Sequence, residues 1–276
     1  TLSGNAGCCG CICCCPDLVA KRETVGLLSM SALNSIGCST WCLMDRSLEE
    51  ALDVISSLTD RAEILSDSLH SLFISEEACH SFDLQYTVHA PTADINIASE
   101  NERLRKAAIQ VIGDLAEVCD RIGAVRLVIH PGHVWEEERR GAAQQALDRS
   151  LDDLAAMQRE VNVRFAVENM GTWDVCFFRE PDFLGRLADT GLGFALDVGH
   201  AHANGNLETF LELGGAIHVH LHDNCGNRDD HLACGEGNIN FRRVLAAIPA
   251  GATKVVEPVS FQKFEQSLDY LGRLTL

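Results

Sequence analysis

At 276 residues, with 46% hydrophobic residues and a mean hydropathy of +0.03, the chain can bury one large core or two ordinary ones. No apolar run reaches the roughly 18 residues that a membrane span requires. Forty acidic residues against 22 basic ones leave a formal charge of -18, which repels polyanions unless cations are gathered at one place, and the sequence shows no such gathering. The acidity therefore reads first as a solvated surface.

The chain opens on a cysteine tract, CCGCICCC from Cys8 to Cys15, which holds six of its thirteen cysteines. Thiolates at that density suit soft metals, but the spacing matches no paired CxxC of a zinc finger. Residues 1–25 carry neither an apolar helix pattern nor a cationic secretory start. Residues 1–33 are thus expected to be a disordered or adventitious extension. The other seven cysteines stand singly in apolar segments, as small buried hydrophobes do in a reduced, cytoplasmic protein.

From about Asn34 onward, short β-rich runs alternate with longer helical patterns, the mark of a parallel sheet. Strand candidates end at Ser39, Ser66, His89, His130, Glu168, Asp197, His222 and Glu257. Helical spacing of apolar residues covers Leu48 to Leu58, Glu102 to Ile122, Glu136 to Glu160, Asp182 to Ala188, Phe241 to Ile248 and Phe261 to Leu271. Eight such units, with no Pro/Gly/Ser linker and no short-period repeat, predict an α/β fold: a single (β/α)8 TIM barrel over residues 34–276.

Alternation within the strands sorts their faces. In VRLVIH, Val125, Leu127 and Ile129 oppose Arg126, Val128 and His130; in VRFAVE, Val163, Phe165 and Val167 oppose Arg164, Ala166 and Glu168. If the first set of each meets the helices, His89, His130, Glu168, Asp197, His220 and Glu257 face the barrel interior at the carboxyl ends of six strands. Barrel enzymes keep their chemistry there. Packing alone does not explain such a set, because Asp and Glu are almost never fully buried unless paired or metal-bound.

The densest stretch is AIHVHLHDNCGNRDDHLACGEGN, Ala216 to Asn238. Ile217, Val219 and Leu221 alternate with His218, His220 and His222, and the following loop carries Asp223, Asp229, Asp230 and His231. Imidazole nitrogen beside carboxylate oxygen suits first-row divalent ions such as zinc, manganese or iron.

The segments VHAPTADINIAS, VIHPGH, VENMG, LDVGHAHANG, HVHLHDN, DDHLACGEGNI and VVEP, running from Val88 to Pro258, resemble in their order and spacing the xylose isomerase-like TIM barrels. That superfamily holds divalent-metal sugar isomerases, epimerases and endonuclease IV. The resemblance implies, for the isomerase and epimerase branch, one metal held at the positions of Glu168, Asp197, His220 and Glu257. For endonuclease IV it implies a three-zinc cluster that adds His89, His130, His200, Asp229 and His231, and all nine residue types are present. One to three ions of Mn, Zn, Mg or Co are therefore expected.

Two reactions compete. In the first, Glu168 and Glu257 move a proton on a small sugar or sugar phosphate through an enediolate, with a divalent ion polarising its oxygens. In the second, a multinuclear zinc cluster hydrolyses a phosphodiester at an abasic DNA site. The loops after strands three to seven are rich in Asp, Glu, Asn and Gly, and Ala90 to Ser99 contains no basic residue, so the isomerase or epimerase is preferred over DNA as partner. Trp135 and Trp173 are the nominees for a wedge at a DNA lesion. His200, His222 and Arg228 are candidate substrate contacts, His133 and His202 candidate supports, and Glu236 a candidate brace for its loop. A homodimer is the default expectation, and no membrane partner is expected.

Overall fold

The structure, a computed structural model, describes residues 36–274; the cysteine tract and the proposed extension over residues 1–33 lie outside them. Eight parallel strands close into one barrel: β1 Ile36–Ser39, β2 Arg61–Leu65, β3 Gln85–His89, β4 Arg126–Ile129, β5 Arg164–Glu168, β6 Gly193–Asp197, β7 His218–Leu221 and β8 Thr253–Val256. β8 pairs back on β1, so no sheet edge is left open. This is the expected single (β/α)8 barrel, and each predicted strand end falls within one residue of the observed one.

The alternation works as the sequence implies. Across β4 and β5 the pairs Leu127↔Phe165 and Ile129↔Val167 are in register, and these residues join the main core between sheet and helices. Val128 and Ala166 pair between them and meet Ala195 inside the barrel, whose eight-stranded cylinder is just wide enough for side chains to fill.

Helices follow the strands on the outside. Leu48–Ser56 starts on a capping box between Ser47 and Glu50, and Glu102–Arg121 on Asn101, whose side chain accepts from the Arg103 amide. The predicted helix from Glu136 begins instead as a 3-10 turn over Glu137–Arg139 and turns α-helical at Arg140–Met157. Likewise Pro181–Phe183 forms a 3-10 turn before Leu184–Thr190, and Gly191 ends that helix in the left-handed region. Phe241–Ala247 and Phe261–Leu274 match the remaining predictions closely, while the short helices Leu72–Ser75, Val198–Ala203 and Leu207–Leu213 were not legible in the periodicity. Among the described residues no helix is long and apolar enough to cross a membrane.

Candidate metal centre

The interior phase of the strands delivers the polar residues to one mouth. His89, Glu168 and Asp197 are the last residues of β3, β5 and β6, His130 and Glu257 directly follow β4 and β8, and His220 lies within β7. Glu168 sits at the centre. Its Oε2 is 3.1 Å from His89 Nε2 and 3.3 Å from His130 Nε2, and its Oε1 is 3.3 Å from His220 Nδ1 and 3.4 Å from His200 Nδ1. His220 Nδ1 also lies 3.7 Å from Glu257 Oε2 and 3.8 Å from Asp197 Oδ2.

A second group adjoins the first. Asp197 caps Val198–Ala203 by accepting from the His200 amide at 2.6 Å, which turns the His200 ring toward the mouth. There His200 Nε2 meets Asp229 Oδ2 at 3.2 Å, and His231 Nε2 lies 3.4 Å from Asp229 Oδ1. His231 has a φ of 45°, a left-handed conformation uncommon outside glycine. The reciprocal backbone pairing of Asp223 with Leu232 at 2.9 Å holds the chain in place directly after it.

Backbone carbonyls fix how the imidazoles present themselves. The Nδ1 atoms of His89, His200 and His231 lie 2.8, 2.9 and 3.0 Å from the carbonyl oxygens of Ala90, Asn169 and Glu257. A carbonyl can only accept, so each Nδ1 carries the hydrogen and each Nε2 is turned toward a carboxylate of the site.

Electrostatics follow from the burial of so many charges together. Burial opposes charge on His89, but the hydrogen bond and charge of Glu168, with Glu63 and Glu257 behind, hold it up to about 9. His231 is likewise raised to about 9, against burial, mainly by Asp229. Burial works to raise Glu168, yet His220 and the hydrogen bonds from His130, His220 and His89 keep its carboxyl well below the usual range. Burial pushes His130 down, with Glu168 opposing it only in part.

The donor set fits a divalent cation. The ligand atoms of His89, His130 and Glu168, of Asp197, His220 and Glu257, and of His200, His222, Asp229 and His231 lie in each case within 4.8 Å of one another. His222 Nδ1 and Asp229 Oδ1 are buried without a hydrogen bond, and among the described residues no lysine or arginine lines the cavity bordered by His89, His130, Glu168, His200, Asp229 and Glu257. Only protons on imidazole balance the carboxylates. That cavity measures about 350 Å³, at the small end for a small-molecule site, and Trp41, Leu65, Met170 and Trp173 supply its apolar wall.

All nine residues singled out as ligands thus converge. His222 does not border the cavity: it is fully buried, donates from Nε2 to Asp197 at 3.0 Å and stacks on His231 with centroids 3.8 Å apart. Arg228 points outward, its side chain 80% exposed and 3.7 Å from Asp230. His202 bonds Asn238, His133 packs against Trp135, and Glu236 braces its loop by taking the Ala233 amide and pairing with Lys263. The sequence reading passed over Glu63, Asn169 and Trp41. Asn169 is buried and clasps the Asp197 backbone with both ends of its amide, at 2.8 and 3.0 Å, while Trp41 lies 4.7 Å from the His231 ring. Glu63 was readable: the phase found in VRLVIH, applied to RAEIL, turns Arg61, Glu63 and Leu65 inward.

Gly199 shows how closely the two groups are fitted, since a Cβ there would stand 1.9 Å from His222 Cε1. Gly199→Ala is expected to drive the His222 ring off Asp197, lowering the melting temperature and weakening metal uptake together. Calorimetry with and without added zinc checks both.

A family model described as a xylose isomerase-like TIM barrel matches residues 75–271. The uncharacterized protein MJ1614 of Methanocaldococcus jannaschii is 35% identical over 213 residues, 75% of this chain and 84% of that protein. A probable endonuclease 4 of Mycobacterium tuberculosis is 29% identical over 202 residues, covering 68% of this chain and 78% of its own. Among solved structures, a D-tagatose 3-epimerase-like protein superimposes with a TM-score of 0.78 at 28% identity, over 87% of this chain and 96% of its own. A zinc-bound IOLI protein shares the fold, with a TM-score of 0.71 at 17% identity over 87% and 96% of the two chains.

Proposed function

The chain belongs to the xylose isomerase-like TIM barrel family, and from that premise we propose that it is a divalent-metal-dependent isomerase or epimerase of a small sugar or related hydroxy-ketone. The observation that carries this reading is the cavity of about 350 Å³, with Glu168 and Glu257 on its wall among imidazoles and two tryptophans. Glu168, Asp197, His220 and Glu257 would hold the ion, with His89, His130, His200, Asp229 and His231 able to hold more. When bound, the ion would polarise a carbonyl and its neighbouring hydroxyl, as a Lewis acid does.

The chain's own part is proton traffic and enclosure. Glu168 and Glu257 come from β5 and β8, separate arcs of the barrel, so one carboxylate can take a proton from carbon and the other return it. Trp41 and Trp173 give flat apolar faces against which a sugar ring can lie while its hydroxyls meet imidazole and carboxylate. The reaction is set in a reducing, cytoplasmic compartment, a reading supported by the free thiols of all seven described cysteines.

A second reading, endonuclease IV-like hydrolysis of a phosphodiester at abasic DNA, is favoured by the His200, Asp229 and His231 group beside the Glu168 group, since together they offer places for more than one ion. Against it stand the cations that follow the strands: Arg139, in the 3-10 turn after β4, pairs with Glu100, Arg179, in the loop after β5, with Asp174, and Lys263, in the helix after β8, with Glu236, so each is already neutralised by a carboxylate.

The test is solvent-deuterium uptake into a panel of ketoses by the zinc- or manganese-loaded protein, run beside incision of an abasic duplex. Uptake that disappears in Glu257→Gln is expected; incision without uptake would replace this reading by the second. The three tryptophans add a binding readout, because Trp41, in the 3-10 turn after β1, and Trp135 and Trp173, in the loops after β4 and β5, all follow carboxyl ends of strands, on the side of the mouth. Zinc is expected to change tryptophan emission, and Trp41→Phe to remove most of that change, since its ring packs on His231.

A further inference from the structure

One layer below the mouth, the barrel interior holds a second carboxylate that the metal centre does not use directly. Glu63 of β2 is fully buried, and its charge is met by three side chains from two other strands. Thr87 of β3 donates its hydroxyl at 2.9 Å, and His220 of β7 approaches with Nε2 at 2.8 Å. His218 Nε2, from the same strand, lies 3.0 Å from Glu63 Oε2 but off the line of a full hydrogen bond, while its Nδ1 meets Thr253 Oγ1 at 2.7 Å.

We infer that Glu63 is a positioning residue of the metal centre: it fixes the rotation and the tautomer of His220 so that Nδ1 is offered to the ion. The inference rests on His220 being a metal ligand, as proposed above. An ionised carboxylate has no hydrogen to give, so the 2.8 Å contact requires Nε2 of His220 to carry one. The other nitrogen then faces Glu168, Asp197 and Glu257 at 3.3 to 3.8 Å. Rotation is fixed as well, because flipping the ring would turn Nε2 away from Glu63 and leave a buried carboxylate short of a donor.

The arrangement is the reverse of that at His89, His200 and His231, where a backbone carbonyl takes Nδ1–H and leaves Nε2 for the site. His220 is a strand residue whose ring reaches across the barrel, and Glu63, from β2, takes the place of a carbonyl. A carboxylate in that position also makes the imidazole a stronger donor to a cation than a carbonyl would. The Thr87 hydroxyl steadies Glu63, so the chain of contacts runs Thr87 to Glu63 to His220.

The experiment is titration of the metal-free protein with zinc, in the native chain and in Glu63→Gln, together with long-range proton–nitrogen spectra of the imidazoles. The native protein is expected to show hydrogen on Nε2 of His220 before and after zinc, with the zinc-induced shift on Nδ1. Glu63→Gln is expected to keep the stoichiometry and lose about 10- to 100-fold in affinity. Equal affinities overturn the inference, as does a zinc-induced shift on Nε2 in the native spectra, which need no variant to fold. Loss of one metal equivalent in Glu63→Gln also overturns it, since Glu63, His218 and His220 would then be a metal site themselves. No zinc uptake by the native chain would instead remove the metal-centre reading beneath it.

Discussion

Glu168→Gln is expected to abolish tight divalent-metal uptake and to lower turnover by about a thousandfold, the scale of a lost acid or base combined with a lost ligand. The change is nearly isosteric, so its effect isolates charge. Glu168 is 1% exposed and touches His89, His130, His200 and His220, and no other carboxylate meets as many imidazoles of the site. An amide there still accepts hydrogen bonds but no longer balances imidazolium or attracts a cation.

The same cluster fixes the sign of the pH dependence. His89 and His231, raised to about 9 in the fold, stand above the ordinary unfolded value of about 6.5. Their contribution to the metal-free protein is complete below about 6.5 and is lost as pH rises through about 9. Glu168, held low, contributes in the opposite sense: its share is present above the ordinary carboxyl value and is lost as acid titrates it. Metal affinity should climb between about pH 6.5 and 9 as imidazole protons cease to compete, with proton release on binding. Thermal melts of metal-free protein and titrations in buffers of different ionisation heat measure both. Affinity that is flat across that window would contradict the assignment of these imidazoles.

The largest effect on stability is expected from Asp223→Ala. Asp223 is fully buried, and its carboxylate accepts the amides of Asn224, Gly235 and Gly237 at 2.9 Å each and of Ile239 at 3.1 Å. One side chain thereby closes the loop that carries Asp229 and His231. The glycines of GEGN are required by that closure: a Cβ on Gly237 would stand 2.4 Å from Asp223 Oδ1, and Gly235 has a φ of 92°. Charge-assisted hydrogen bonds of this kind contribute about 1.5–3 kcal/mol each, so a loss of roughly 4 kcal/mol or more is expected after the loop relaxes. That corresponds to a fall of about 10 °C in melting temperature for a barrel of this size. Metal held by His200, Asp229 and His231 should be lost before that held by Glu168, His220 and Glu257. Asp223→Asn, which keeps one acceptor oxygen, should fall between. An unchanged melting temperature in Asp223→Ala would show that the loop is held by other contacts.

The barrel was legible because period-2 and period-3.6 patterns stay in phase over long stretches; Glu102–Arg121 and the run VRFAVE are the clearest cases. Val198–Ala203 was not, because a helix of six residues gives too few turns for a periodic signal, and its start depends on Asp197 serving as cap and site residue at once. The convergence of the nine ligand candidates follows from strand ends and from the segments VENMG, LDVGH and DDH. What single-strand reading could not supply is contact across the barrel. His222 sits on the imidazole face of its strand like His220, yet the turn after β7 places it behind Asp197 rather than on the cavity. Glu63 carries the inward phase, but its partner His220 is 157 residues away, a pairing that only closure of the cylinder creates. Arg228 has the right charge for a substrate and the wrong side of the loop.

The most direct test is the metal content of the purified native chain, measured beside Glu168→Gln and His220→Ala. At least one equivalent of a divalent first-row ion per native chain, falling to background in both variants while their folds persist, is the predicted result. A native chain that carries no such ion and takes none up from zinc or manganese would contradict the account at its centre.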